Sequence, residues 1–492
     1  MSKRAIMIVT VALLLSNAMS GLDSTIVNTA LPAIIADLHG LQYMAWIVAS
    51  FLLGTAVSTV LWSKLGQRTS NKFAYELAAL LFVLGSLLQG LAPNMAFLIA
   101  ARALSGLGNG GMVSLPYIIY ADLYRDPRKR MQVLGLVSGS YSMATIIGPL
   151  VGGYIVDTFS WHWVFYLNVP IGLLSALVVQ SFYQVAKNRQ QRSPLDRSGA
   201  IAMVIGLVSL LAGIELIGTG TLGMIVLLLA IAAAGFGWLL FAEKRAVDPI
   251  IPGRLFKNRA LVIDFALFAL IWAAFMSFIT YSPMWAQGLL GTSALIGGAT
   301  QIPSSFANFF GSASVAPMRR RLTPYRVITI GILTLTIAFV PLVIAGVHAP
   351  YWILLVAGVF EGFGNGACFT ELQVKVQTDA AAADVPVATS FSFLIRMLSQ
   401  TFIAAISGIV MNHALAAGVA ASAGHITMGM LNKLSDASTV GSLPQRLLPE
   451  MRTILHGGLH NIMAVSLALM LAAWVLHIWS QRRARVAART AG

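Results

Sequence analysis

Four ionisable side chains stand where the sequence offers them no water. Asp23 lies in Ala18-Met-Ser-Gly-Leu-Asp23-Ser-Thr-Ile-Val-Asn28, a run with no other charge. Arg102 opens Arg102-Ala-Leu-Ser-Gly106 inside a second apolar segment, and Glu361 and Arg396 occupy two more, much later in the chain. An ionisable group in a lipid-spanning segment is costly, and it marks an ion path, a proton relay or a pair. At about 1.5 Å per helical residue, Asp23 falls roughly 13 Å and Arg102 roughly 10 Å below the same side. Burial and a neighbouring guanidinium act on a carboxyl in opposite directions, so a pair at this depth suits reversible protonation. It equally suits a structural ion pair joining two helices. Glu361 and Arg396 both fall near mid-depth and make a second candidate pair, although depth leaves open whether they face one cavity.

Other charged positions read more plainly. Glu76 neutralises Lys72 at i, i+4; Glu215, Asp157 and Asp264 lie near segment ends, within reach of water. His456 and His460 stand four apart, as two ligands on one helical face would, but no further ligands accompany them, so no metal is expected. The single cysteine, Cys368, excludes an intrachain disulfide. No phosphate-binding loop, nucleophile elbow or zinc-hydrolase signature is present, so an enzyme is not expected.

The elements that position these residues are membrane spans. The chain has 492 residues, 58% hydrophobic and only 10% charged, whereas soluble domains carry about 25% charged residues. Cutting at polar and Gly/Pro clusters gives fourteen spans, the first six at about 6–33, 44–63, 73–93, 95–121, 131–157 and 161–184. The next two fall at about 198–219 and 221–242, and the last six at about 259–286, 292–318, 325–347, 351–374, 385–412 and 457–480. The start imitates a signal peptide, but its apolar stretch runs on through Leu22–Pro32 and reads as the first span. The fold class is an all-α polytopic membrane protein.

The formal charge of +15 raises a nucleic-acid partner, and its distribution removes it. Of 32 Lys and Arg, 27 fall in the termini and in the loops after even-numbered spans, among them Lys64, Arg68, Lys72, Arg319, Arg320 and Arg321. Three, Lys433, Arg446 and Arg452, fall on the opposite side. Such a bias places both termini in the cytoplasm.

An internal repeat organises the spans. Gly106-Leu-Gly-Asn-Gly110 in the fourth span returns as Gly362-Phe-Gly-Asn-Gly366 in the twelfth, an offset of 256 residues. The same offset superposes spans 1 and 9, spans 5 and 13, and two basic loops. Two six-span bundles in parallel orientation follow, a known transporter architecture. They cover residues 1–184 and 259–492, with two inserted spans and their linkers at 185–258. The second bundle contains a long outer segment at about 413–456, whose apolar clusters predict two short amphipathic helices on the membrane surface or over a cavity mouth. A turn near Gly441-Ser-Leu-Pro444 would join them.

These motifs resemble the major facilitator superfamily, in particular its fourteen-helix drug:proton antiporter branch, along nearly the whole chain. The run Leu22-Asp23-Ser-Thr-Ile-Val-Asn28-Thr-Ala-Leu-Pro32 is similar to that branch's first-helix signature, and Arg102-Ala-Leu-Ser-Gly106 to the fourth-helix pattern, whose arginine is implicated in proton coupling. Ile147-Gly148-Pro149-Leu-Val-Gly152-Gly153 resembles the fifth-helix antiporter motif. Trp161-His-Trp-Val-Phe-Tyr-Leu-Asn168-Val-Pro170 resembles the segment opening the sixth. The loop Ser63-Lys64-Leu-Gly-Gln67-Arg68-Thr-Ser-Asn-Lys72 departs from the family, with Gln67 in an aspartate's place, so the family's latch at that end is weaker here or built otherwise. Ser105, where the branch often has glutamine, is a smaller departure.

The resemblance implies an exporter of amphipathic drugs or toxic organic compounds, driven by a proton gradient without a cofactor, and a monomer in a bacterial plasma membrane. Coupling falls to Asp23 and Arg102, with Glu361 and Arg396 as a second pair. An apolar, aromatic cavity suits such substrates; Asn28, Tyr141, Trp272, Phe275, Tyr281 and Trp285 are candidate walls, although each aromatic serves equally as packing or interfacial belt. Export of one physiological solute, such as a siderophore, amino acid or lipid, is the nearest alternative. A non-transporting receptor or scaffold would have no use for Asp23 and Arg102.

Overall fold

In a computed structural model, residues 2–124, 127–184, 197–216, 221–245, 253–381, 385–435 and 437–490 are described. The chain divides into two compact units, Met1–Ile250 and Ile251–Gly492. The first holds α1 (Lys3–Leu38), α2 (Met44–Arg68), α3 (Asn71–Gly90), α4 (Met95–Leu123), α5 (Pro127–Thr158), α6 (His162–Tyr166) and α7 (Asn168–Phe182). It also holds α8 (Arg197–Glu215) and α9 (Leu222–Arg245), which pack on each other. The second unit holds α10 (Arg259–Met284), which runs into a π turn at Trp285–Leu289, then α11 (Ala294–Ala299), α12 (Gln301–Arg319), α13 (Pro324–Ile344) and α14 (Trp352–Asp379). It ends with α15 (Val385–Ala421), α16 (Met428–Leu434), α17 (Ala437–Val440) and α18 (Leu448–Thr490).

Local chemistry sets several starts. Ser70 and Asn94 accept from Phe73 N at 3.1 Å and Phe97 N at 2.9 Å, capping α3 and α4. Such bonds answer amides that a helix's first turn cannot satisfy. Thr323 caps α13, with Pro324 behind it supplying a preset φ.

Among the described residues, eleven helices are long and apolar enough to cross a membrane. The predicted spans at 131–157, 198–219 and 292–318 lie largely on helices α5, α8, α11 and α12. Leu80, Leu84, Leu227, Phe310 and Val475 are exposed on the helix surfaces, a dressing suited to lipid and costly in water.

Each unit repeats one packing scheme. In the first, α4 packs on α2 and α3, α1 on α5 and α7, and α3 on α7; in the second, α14 packs on α12 and α13, α10 on α15 and α18, and α13 on α18. The glycine motifs explain the closest approaches. A Cβ at Gly106 or Gly110 would strike the backbone of α2, and one at Gly108 the backbone of α3. At Gly362 and Gly366 it would strike the backbone of α12, and at Gly364 that of α13. Small residues at such positions let backbones meet where lipid provides little hydrophobic drive between helices.

The long outer segment differs from expectation. Helix α15 runs on to Ala421 and α18 begins at Leu448, so the second expected amphipathic helix is the start of the last span. Its Met451 and Leu455 are fully buried. Helix α16 exists, with Ile426, Leu431 and Leu434 buried, and it packs on α18. The apolar cluster was needed inside the unit.

Candidate functional site

Asp23 and Arg102 meet. Both side chains are almost fully buried, and Arg102 donates an Nη1 hydrogen bond to Asp23 Oδ2 at 3.1 Å. Three other helices hold the pair. Asn168 Nδ2 of α7 donates to Asp23 Oδ1 at 2.7 Å, while Arg102 Nε donates to the Ile47 carbonyl of α2 at 3.1 Å. The guanidinium lies 4.1 Å over the Phe51 ring. Gln89 of α3 accepts from Arg102 at 3.4 Å and donates to Ser105 Oγ at 2.8 Å. At Ser105, a position where the branch often has glutamine, an amide therefore arrives from the neighbouring helix. Charge-assisted bonds of this kind are about twice as strong as neutral ones, and a carboxylate fixed by two donors has a defined geometry for proton transfer.

Helix α5 presses on α1 beside this pair. A Cβ at Gly148 would meet Thr25 and one at Gly152 would meet Ile26, so small residues there set the α1–α5 spacing. Pro149 and Gly153 are buried alongside. Asn28 is buried and donates to Ser24 O at 3.3 Å within α1.

Glu361 and Arg396 are not brought together. Glu361 is wholly buried and accepts from Ser304 Oγ of α12 at 2.5 Å. The Arg396 guanidinium lies 4.5 Å from the Trp272 ring and 4.7 Å from Phe369. Equal depth did not mean equal azimuth: Arg396 reaches the aromatic faces and Glu361 reaches a hydroxyl. Trp272 and Phe275 are half-buried with ring centroids 5.2 Å apart, whereas Tyr281 and Trp285 are fully buried in packing, Trp285 edge-on to His456.

Two charged residues depart from the sequence expectation. Asp264 is fully buried rather than within reach of water, and Lys375, just past the predicted span at 351–374, lies inside α14. Lys375 Nζ donates to Asp264 at 2.8 Å and to Asp379 at 2.5 Å, and it stands 5.5 Å from the Tyr325 ring. Arg319 approaches Glu371 at 3.5 Å one turn earlier on α14. Asn168 enters the sequence reading only within the segment that opens the sixth span, and Gln89 not at all, since an uncharged amide in an apolar run carries little signal.

The remaining candidates divide by what is described. Lys72 Nζ donates to the Gln180 carbonyl at 2.6 Å. The side chains of Lys64, Gln67, Arg68, Tyr141 and Glu215 lie outside the described residues. His456 and His460 each bond a backbone carbonyl at the end of α13, of Ala345 at 2.9 Å and Val343 at 2.7 Å, which gives the i, i+4 pair a structural use.

The sequence profile of the Major Facilitator Superfamily matches residues 13–404. Multidrug transporter protein MdtP of Bacillus subtilis (strain 168) is 30% identical over 416 residues, 84% of this chain and 76% of its own. Multidrug resistance protein 3 of the same organism is 29% identical over 456 residues, 89% of this chain and 88% of its own. A bacterial homologue of the human lysosomal transporter Spinster has the same fold, with a TM-score of 0.70 and 14% identity over 98% of each chain.

Proposed function

The chain belongs to the Major Facilitator Superfamily, and from that premise we propose that it is a proton-coupled antiporter exporting amphipathic organic compounds. It is a multi-pass membrane protein of a transporter family. Relatives named as multidrug proteins support the substrate class, and the half-buried Trp272–Phe275 face suits it. The proposal includes fourteen spans with both termini in the cytoplasm and a bacterial plasma membrane as the site of action.

One observation carries the coupling: the buried Asp23–Arg102 pair, with Asn168 and Gln89 holding its two members. Asp23 takes a proton from the outer side and the ion pair is neutralised. Arg102 then keeps Ile47 O and Gln89 as acceptors, so its charge is not left bare when the carboxylate is lost. Substrate leaves outward, and return of the proton to the inner side restores the pair. Burial of both groups keeps the proton from leaking to bulk water during the exchange.

The test is substrate-profiled efflux in a strain lacking its own pumps, followed by proteoliposomes with an imposed proton gradient. Asp23→Asn keeps shape but cannot titrate, and coupled export should fall by about 10²–10⁴-fold with insertion unchanged. Transport at the intact rate under the gradient would sink the assignment. A profile confined to one solute would favour a dedicated exporter over a multidrug one.

A further inference from the structure

The two units differ in how two neighbouring helices stand in front of a third. In the first unit α2 and α3 each pack on α4 and also on one another. In the second, α12 and α13 each pack on α14 but barely meet. A groove of about 520 Å³ opens where these three helices come together, within the range of about 300–1,000 Å³ that holds organic ligands. Phe306 and Phe310 line it from α12, Thr334 from α13, and Val359 and Phe363 from α14. The Thr334 hydroxyl bonds Ile330 O at 3.2 Å and Gly331 O at 2.9 Å, so its donor is used within α13. Phe306 and Phe310 are exposed, and the groove opens along the outside of the unit. Its occupant has to be hydrocarbon.

The groove also lies at a fixed depth from a basic rim. Arg319 ends α12, Arg320 and Arg321 follow in the turn, and Arg326 lies in the first turn of α13. Arg319 pairs with Glu371, whereas Arg320, Arg321 and Arg326 are exposed with no carboxylate partner among the described residues. At about 1.5 Å per residue, Phe310 lies roughly 13 Å from Arg319 along α12, and Thr334 roughly 12 Å from Arg326 along α13. Pro303, at the groove's far end, lies roughly 24 Å from Arg319. Two helices thus put the groove at one depth. Half a bilayer with its headgroups measures about 20–22 Å. A lipid whose headgroup sits among the arginines therefore brings the ends of its acyl chains to the groove.

We propose that this face of the second unit is a binding site for an anionic diacyl phospholipid. Arg320, Arg321 and Arg326 hold the phosphate headgroup, and the groove takes the end of one acyl chain. Basic clusters at span ends are suited to anionic headgroups. A zwitterionic lipid brings a cation of its own to the arginines, and a free anion leaves the groove unfilled. A second copy of the chain is a poor match for the rim, since it carries 32 Lys and Arg against 17 Asp and Glu. Seated there, the lipid braces α12 against α13, which the protein itself leaves apart. The site goes beyond the exporter reading and needs only a bilayer, so it stands or falls without any measurement of transport.

The full-length protein in nanodiscs is given phosphatidylglycerol with a diazirine near the end of one acyl chain, and separately phosphatidylcholine with the same chain. After irradiation the labelled peptides are mapped. Peptides covering 303–310 and 359–363 should take the phosphatidylglycerol label about tenfold more than the phosphatidylcholine label. That preference should shrink at about 1 M salt, where the screening length falls to about 3 Å. Arg320→Gln, Arg321→Gln and Arg326→Gln combined should bring the two lipids within about twofold of each other. Should that variant fail to fold, the salt dependence of the intact protein decides the same point. Val359→Trp fills the groove from an exposed position and should cut the groove label severalfold, with phosphatidylglycerol still retained over phosphatidylcholine on purification. Equal labelling by the two lipids, or a preference that survives loss of the arginines, overturns the site. Displacement of the lipid by inorganic phosphate, or groove peptides shielded from both lipids in a dimeric particle, overturns it in favour of a free anion or a second copy.

Discussion

On α4 of the first unit, Arg102, Ser105, Asn109 and Ser114 all have hydrogen-bond partners, and the charged one is paired with Asp23. On α14 of the second unit the equivalent stretch has Glu361, bonded to Ser304 and without a cationic partner among the described residues, and Asn365, whose amide has no hydrogen-bond partner among them. Its paired charge, Lys375, lies almost three turns further on, against Asp264 and Asp379. The glycine contacts to the neighbouring helices are nonetheless the same in both. Backbone contact depends only on the absence of a side chain, so it survives the exchange of neighbouring residues. Side-chain bonds need two particular residues and are lost when either changes. What the repeat preserves is spacing; the chemistry laid on it is free to diverge.

The largest expected break of this comparison is Arg102→Ala against Arg396→Ala. The first removes the cationic partner of Asp23 and should reduce proton-coupled export by about 10²–10⁴-fold in proteoliposomes. The second strips a cation from an aromatic face, a contact worth about 0.5–2 kcal/mol, and should alter substrate preference while leaving coupling in place. Equal loss of coupling in both would mean that the two units share the proton step. Arg102→Lys keeps the charge and loses the planar fork, so partial activity there would assign the role to charge.

Next in size is the buried cluster of the second unit. Lys375→Met leaves Asp264 buried without its cation and should cost about 3–5 kcal/mol, read as a fall in melting temperature of the purified protein. Adding Asp264→Leu should recover much of the loss, since an apolar pair is often as stable as a buried ion pair. An unrecovered double variant would point to a role beyond stability. Smaller again, Gly106→Ala and Gly362→Ala press a methyl onto the backbone of α2 and α12, and each should destabilise by about 1–3 kcal/mol. Similar values would support equal spacing in the two units; a harmless Gly362→Ala would break the parallel.

The Asp23–Arg102 pair was legible because charge in an apolar run is rare, and residue count along a helix converts directly to depth. Its supports, Asn168 and Gln89, were not, because uncharged amides are common in spans and their partners lie on other helices. Counting gives height and leaves azimuth undetermined, which is why Glu361 and Arg396 were matched in depth yet face different neighbours. Asp264 and Lys375 were lost at the edges of hydropathy windows, where the choice between water and protein depends on what packs alongside. The repeat was plain from GxGNG, and the contrast between Asn109 and Asn365 appears only once their neighbours are known.

The separation of Asp23 from its partners in the chain also bears on how the protein is made. Arg102 follows Asp23 by 79 residues and Asn168 by 145. At roughly 5–20 residues per second, about 4–16 s of synthesis pass before the arginine exists. The first span therefore enters the bilayer carrying an unpaired aspartate, at a cost of roughly 2.5–3.5 kcal/mol if it is charged at mid-span. Leucine, isoleucine and valine each return only a few tenths of a kcal/mol there, so the long apolar stretch of α1 has to secure insertion alone. Nascent chains stalled short of residue 102 should accordingly hold α1 in the membrane less firmly than chains released after it, a difference that carbonate extraction of arrested ribosomes would register.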